Sequence, residues 1–156
     1  MTARNPVPAI LRLPPPLLFA LVFLIGVGVQ RYWPLPAAAP EGLRSMGAVL
    51  ALIGLLLALS CGAMFLAART TVIPHGHPRR LLRTGPYRYT RNPMYLSLIL
   101  VYLGAAAGFG QPWSALFVVV PLALVNGWVI PFEERRLRET FGEEYRRYCA
   151  TVRRWL

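Results

Sequence analysis

Residues 85 to 95 carry the sequence GPYRYTRNPMY, and an apolar run follows them directly. The opening Gly-Pro pair is typical of a turn. The Asn92-Pro93 pair favours a helix start, because an asparagine side chain can accept from the free amides of the first turn and proline suits the first helical position. The stretch therefore predicts a polar loop that leads into an apolar helix.

The composition indicates an integral membrane protein. Hydrophobic residues make up 56% of the chain, only 15% are charged, and the mean hydropathy is +0.47. The charges cluster, which leaves apolar windows about as long as the ~20 residues that a helix needs to cross a bilayer. We expect an all-α helical bundle forming one domain over residues 1–156. Its transmembrane helices, about four, are predicted at about 17–33, 46–68, 93–110 and 113–131.

The first apolar segment has an alternative interpretation as a secretory signal peptide. Basic residues precede it, it is short, and alanines at 37–39 imitate a cleavage site. Pro40 follows these alanines directly and argues against cleavage, so we expect a retained helix. In the second segment, small residues recur at three- and four-residue spacing, from Gly47 through Gly54, and predict close helix packing within the monomer rather than dimerisation. The oligomeric state stays open.

The positive charge predicts topology. The net charge is +11, all 17 basic residues are arginines, and 13 of them lie in residues 69–91 or after residue 134. Arginine-rich segments remain in the cytoplasm, so both termini are expected there, in a bacterial inner membrane. No soluble basic face with aromatic platforms is evident, which excludes nucleic acid as a partner. Cys61 and Cys149 lie in different environments and predict no disulfide.

The segment from Phe132 onward predicts a cytoplasmic amphipathic helix, broken near Gly142. Apolar and aromatic residues recur there every three or four positions and share one face. The opposite face is rich in arginine and glutamate. The shared face consists of Glu133, Leu137, Phe141, Tyr145, Tyr148 and Val152.

A second polar group faces the opening stretch. The turn near residues 111–112 is so short that the third and fourth helices must form an antiparallel hairpin, which brings Glu133 and Glu134 beside Asn92. A cleft with aromatic rings, carboxylates and a helix N-terminus suits a ligand that carries a cation, a carboxylate and hydroxyls. S-adenosylmethionine is such a ligand, although a nucleotide phosphate would satisfy part of the same cleft.

Two other polar features have simple explanations. His75 and His77 lack a third and a fourth ligand nearby, so no metal is predicted. Asn126 is the strongly polar side chain inside the fourth helix. It either faces the bundle interior and contacts substrate, or hydrogen-bonds a neighbouring helix.

The motifs together resemble the isoprenylcysteine carboxyl methyltransferase family and, more distantly, phospholipid N-methyltransferases. The resemblance rests on residues 85–95, on EERRL at 133–137 and on FGEEYRRY at 141–148, and it covers roughly residues 70–156. It implies a membrane enzyme that holds S-adenosylmethionine between the loop before a membrane helix and the C-terminal segment. S-adenosylhomocysteine would be the product. The implied partners are membrane lipids and a lipophilic methyl acceptor.

The resemblance also implies the site residues. Asparagine stands at position 92 where the eukaryotic enzymes have histidine, and their substrate-binding arginine corresponds to a position near Val129. The acceptor is therefore open, Val129 and Asn126 are the weaker substrate candidates, and no catalytic residue is assigned. The predicted cofactor-binding residues are Leu81, Leu82, Tyr87, Arg91, Asn92, Pro93, Met94, Tyr95, Glu133 and Glu134.

Two other functions fit parts of the sequence. A membrane reductase could bind the phosphates of NADPH through the loop arginines at 79, 80, 83, 88 and 91. A non-catalytic scaffold could use the same arginines to bind anionic lipid headgroups. The paired glutamates and the absence of a hydride-acceptor signature favour methyl transfer over both.

Overall fold

The computed structural model describes residues 13–35, 40–68 and 80–156. Every regular element in these three stretches is helical, which confirms the all-α prediction. A 3₁₀ turn precedes the third helix and a π-helical segment precedes the last. The elements are α1 (Pro15–Tyr32), α2 (Glu41–Ala67), the 3₁₀ turn (Gly85–Arg88), α3 (Pro93–Gly108), α4 (Pro112–Phe117), α5 (Val119–Leu124), the π segment (Val125–Val129) and α6 (Ile130–Thr151).

Three of the described helices are long and apolar enough to cross a membrane. They are α1, α2 and the continuous run Pro112–Thr151, which α4, α5, the π segment and α6 form together. α3 is apolar but has only 16 residues. At about 1.5 Å per residue it covers roughly 24 Å, less than the ~30 Å hydrocarbon core. Of the four predicted spans, the third is thus the one that falls short in length.

The prediction that the fourth span ends near residue 131, before a separate tail helix, is wrong. The helix continues from Pro112 to Thr151, because the charges after Phe132 change its surroundings without breaking its hydrogen bonds. Its irregularities coincide with prolines. The α4–α5 break at Val118 lies three residues before Pro121, and the π segment ends just before Pro131. Proline has no N–H for the carbonyl four residues earlier, so the helix must adjust there.

The predicted break in the tail is confirmed at Gly142. This residue has φ 50° and ψ −117°, a left-handed conformation inside an otherwise helical run. Glycine adopts such a φ without the steric cost of a Cβ atom. Beyond it, the predicted apolar face is buried: Tyr145, Tyr148 and Val152 form a small core. The break therefore redirects the last turns of α6 so that they pack against the loop before α3.

α2 and α3 pack closely through glycines, as the small-residue spacing predicts. A Cβ atom added at Gly104 of α3 would collide with the backbone nitrogen of Ala51. One added at Gly47 would lie 2.6 Å from the backbone nitrogen of Gly108, and one at Gly54 2.8 Å from that of Val101. The small residues thus serve packing within the monomer.

The hairpin between α3 and α4 is confirmed and sets the position of the site. Residues 109–111 connect the two helices, and Gly110 turns the chain with φ 61°. α1 packs on α4, where Ser114 donates a 3.0 Å hydrogen bond to the carbonyl of Phe23. The main core lies between α1, α3 and the long helix. It comprises Leu18, Phe19, Val22, Tyr95, Tyr102, Val125, Val129 and Ile130.

Candidate functional site

Tyr87 anchors the loop before α3 against α2. Its ring is buried and meets the ring of Phe65 edge-on, with the centroids 6.0 Å apart. Its carbonyl accepts a 2.7 Å hydrogen bond from the hydroxyl of Tyr148. Burial raises the pKa of Tyr87 well above its ordinary value, and the nearby Cys61 thiol adds to the effect. The phenol therefore stays neutral and forms a fixed wall of the loop.

Gly85 allows the loop to approach α2 this closely. It has φ 57°, and an added Cβ atom would lie 2.9 Å from the sulfur of Met64. A side chain here would meet both backbone strain and crowding. The Gly-Pro pair is thus a turn fitted to α2, which fixes where the following tyrosine enters.

The two halves of the predicted site meet at Tyr95 and Glu133. The Tyr95 hydroxyl donates a 2.8 Å hydrogen bond to Oε1 of Glu133. Tyr95 lies in the first turn of α3 and Glu133 near the start of α6, so the α3–α4 hairpin brings them together as the sequence indicates. Oε2 of the carboxylate takes no part in this bond. The positive charge of Arg136 also acts on Glu133.

Glu134 has a different set of partners. Arg154 contacts it with two hydrogen bonds, Nε to Oε1 at 3.0 Å and Nη2 to Oε2 at 2.7 Å. Arg91 lies 3.3 Å from the same Oε1. A bidentate guanidinium contact raises the pKa of Arg154 above its ordinary value and fixes the carboxylate geometrically. Glu134 thus binds the chain's own arginines, and the adjacent Glu133 is the carboxylate with an oxygen free of such contacts.

The last five residues, 152–156, form a strap across the start of α3. The Arg91 amide donates to the Arg153 carbonyl at 2.9 Å. The Thr90 hydroxyl and the Asn92 amide nitrogen Nδ2 both donate to the Arg154 carbonyl, at 3.0 and 2.9 Å. These bonds join segments about sixty positions apart in sequence. The strap therefore ties the loop before α3 to the end of the long helix.

The predicted role of Asn92 as a side-chain cap is wrong. α3 begins at Pro93 without a side-chain cap hydrogen bond. Nδ2 of Asn92 is directed to the strap instead, and its backbone amide donates to the Thr90 hydroxyl at 3.2 Å. The strap offers a carbonyl acceptor at this point, which explains why the side chain turns away from the helix. The first-turn amides of α3 have no side-chain cap.

The other residues of the predicted cofactor set line the approach to this point. Pro93 is buried at the first helical position, and Met94 after it is half-buried. Leu81 and Leu82 are also half-buried. Leu81 packs on the core formed by the last turns of α6, so the segment before the motif does contact the C-terminal segment.

The two substrate candidates lie in unlike surroundings. Val129 is only 4% exposed and belongs to the same core as Tyr95. Asn126 is exposed, and its Oδ1 accepts a 3.2 Å hydrogen bond from Nε1 of Trp155. The partner of Asn126 is thus the strap, rather than a neighbouring helix.

Arg154 and Trp155 are the functional-site residues that sequence reasoning misses. They lie beyond the end of α6, and their partners are determined by where the chain returns. His75 and His77 lie outside the described residues. Within the described ranges no group of three or more His, Cys, Asp or Glu residues is arranged to hold a metal ion.

Comparison with known proteins places this geometry in a family. A family model described as phospholipid methyltransferase matches residues 43–144, about two thirds of the chain. The matched range contains α2, the motif at 85–95 and both glutamates, whereas the strap lies beyond it.

One relative shows how compact the matching region is. An uncharacterised protein of Haemophilus influenzae is 43% identical over 63 residues, which are 40% of this chain and all of that protein. No solved structure matches this chain.

Proposed function

Because the chain belongs to the phospholipid methyltransferase family, we propose that it transfers methyl groups from S-adenosylmethionine to a lipophilic or membrane-embedded small molecule at the cytoplasmic membrane face. The family match supports a membrane methyltransferase. The choice of cofactor rests on the chemistry of the site, and the class of acceptor on the apolar surroundings of the helices.

The observation that carries the proposal is the 2.8 Å bond between Tyr95 and Glu133. It joins the motif before and within α3 to the glutamate pair at the start of α6. A tyrosine that donates to one carboxylate oxygen fixes the orientation of the other. Glu133 is thereby held ready to accept from a ligand at the mouth of α3.

The residues present fit S-adenosylmethionine. When bound, this cofactor supplies an electrophilic methyl group on a positively charged sulfur. The carboxylate of Glu133 and the rings of Tyr87 and Tyr95 attract a cation, and Oε2 of Glu133 would accept from a ribose hydroxyl. The uncapped first turn of α3 carries partial positive charge and free amides, which favour the cofactor's carboxylate.

The chain's own contribution to the reaction is alignment. An in-line displacement at the methyl carbon gains most from holding acceptor and donor in the reactive geometry. Acceptors of this class reach the site from the bilayer, between helices, while the cofactor enters from the aqueous side. A carboxylate acceptor needs no general base, so no catalytic residue is assigned.

The same proposal includes the topology. Arg91 of the loop and Arg153 of the strap are joined by a backbone hydrogen bond, so the arginine-rich loop and the arginine-rich C-terminal segment lie on one side. The excess of arginine identifies this side as cytoplasmic. We place both termini there, in a bacterial inner membrane.

Binding of the product tests the cofactor assignment. The purified full-length protein in detergent is titrated with S-adenosylhomocysteine by calorimetry, alongside the variants Glu133→Gln and Glu139→Gln. Glu139 is exposed on α6 and provides a matched loss of one negative charge. Saturable binding that only Glu133→Gln weakens supports the proposal, whereas no binding to the native protein overturns it.

The reductase alternative is tested in the same preparation. The family match favours methyl transfer over it. In a thermal-shift comparison, S-adenosylmethionine should raise the melting temperature and NADPH should leave it unchanged. Stabilisation by NADPH alone would favour the reductase.

A further inference from the structure

A basic groove lies beside the candidate site, between the loop before α3 and the last turns of α6. Its volume is about 480 Å³. None of its lining residues except through Tyr148 touches the predicted cofactor set: the Tyr148 hydroxyl donates to the Tyr87 carbonyl at 2.7 Å. The lining consists of Arg83, Arg88, Arg147, Tyr148, Thr151 and Val152.

The three arginines are incompletely neutralised. Nη2 of Arg83 lies 3.1 Å from Glu144, and Nε of Arg147 lies 4.0 Å from Glu143. The side chains of both pairs are 47% to 77% exposed, and ion pairs of this kind contribute little. Arg88 is exposed and forms no ion pair within the described ranges. The groove therefore retains guanidinium N–H groups and a positive charge.

This arrangement matches the chemistry of a phosphate group. A guanidinium presents N–H donors in a planar fork that pairs with two oxygens of a phosphate, and several forks around one groove can surround it. The proposed methyl transfer does not account for the groove, because S-adenosylmethionine carries no phosphate. A carboxylate ligand would need only one such fork.

We propose that this groove binds the phosphate group of an anionic ligand, with Arg83, Arg88 and Arg147 as its ligands. The favoured source is a phospholipid headgroup. The loop leads directly into the apolar helix α3, and arginines beside a membrane helix attract anionic headgroups. A free phosphate or phosphate ester has the same chemistry. The proposal stands independently of methyl transfer, since none of the three arginines belongs to the predicted cofactor set.

The test compares two triple variants with equal loss of charge. Arg83, Arg88 and Arg147 are replaced by glutamine in one, and the exposed Arg135, Arg138 and Arg153 in the other. Each full-length protein in detergent is titrated with dioctanoyl phosphatidylglycerol by calorimetry. The groove variant should bind at least about tenfold more weakly, because it loses several charge-assisted hydrogen bonds, whereas the control should stay near the native affinity.

The sources and the failures are separated as follows. Displacement of the lipid by inorganic phosphate supports a groove open to soluble phosphates, and a groove-dependent affinity that phosphate does not reduce supports a lipid headgroup. Equal losses in both triple variants, or native affinity in the groove variant, overturn the proposal. Circular dichroism and elution volume check the fold. If the triple groove variant misfolds, Arg88→Gln with Arg135→Gln as its control repeats the comparison.

Discussion

Arg154 contacts Glu134 through two hydrogen bonds, of 3.0 and 2.7 Å, and so fastens the end of the chain to the start of α6. The Glu134 side chain is 11% exposed, so its charge depends on this contact and on Arg91. The carbonyl of Arg154 simultaneously accepts from Thr90 and Asn92. One residue thus holds both motifs of the candidate site.

Replacement of Arg154 by glutamine should destabilise the fold. Removing one partner of a fully buried pair costs about 3–5 kcal/mol. The Arg154 side chain is 35% exposed and Arg91 remains, so we expect a smaller loss, about 1–3 kcal/mol. Denaturant unfolding in detergent, followed by circular dichroism, measures it. Arg153→Gln is the control, because only the backbone of that residue takes part in the strap, and an equal loss there would contradict the role of the Arg154 side chain.

Replacement of Tyr95 by phenylalanine should weaken cofactor binding while leaving the fold intact. The change removes only the hydroxyl that orients Glu133. A hydrogen bond to a charged group contributes about 1.5–3 kcal/mol, so the affinity for S-adenosylhomocysteine should fall about tenfold. Tyr89→Phe is the matched control, since Tyr89 is 70% exposed. Unchanged affinity in the Tyr95 variant would show that this hydroxyl does not orient a ligand-binding carboxylate.

Replacement of Gly104 by alanine should separate α2 from α3. The added methyl group meets the backbone of Ala51 and Gly47, which cannot move aside as a side chain can. Overpacking of this kind costs about 1–3 kcal/mol, and it should lower the melting temperature. Gly28→Ala provides the control, because nothing lies within 4 Å of its added Cβ atom. A melting temperature that falls equally in both variants would argue against close packing at Gly104.

The positions of Tyr95 and Glu133 could be predicted because the constraints on them are local. A helix that starts at Pro93, a turn too short for anything but a hairpin, and a second helix of matching length leave little freedom. The same holds for the α2–α3 packing, since small residues at regular spacing permit close approach only along one face. The break at Gly142 is likewise a property of a single residue.

Other features depend on contacts that no local pattern contains. Arg154 and Trp155 meet partners that lie 20 and 29 positions away only because the strap turns back over α3. Asn92 has the composition of a cap, but an available carbonyl in the strap competes for its amide. The charges after Phe132 resemble a helix boundary, yet a helix ends where its hydrogen bonds end. Each error concerns competition between a local preference and a distant partner.

Methyl incorporation into membrane-extractable material tests the central claim most directly. Membranes containing the native protein, Glu133→Gln or Glu139→Gln are incubated with S-adenosylmethionine labelled in its methyl group, and the organic extract is counted. We predict incorporation above that of membranes without the protein, lost in Glu133→Gln and retained in Glu139→Gln. Incorporation by Glu133→Gln at the native level, or none by the native protein, would contradict the account.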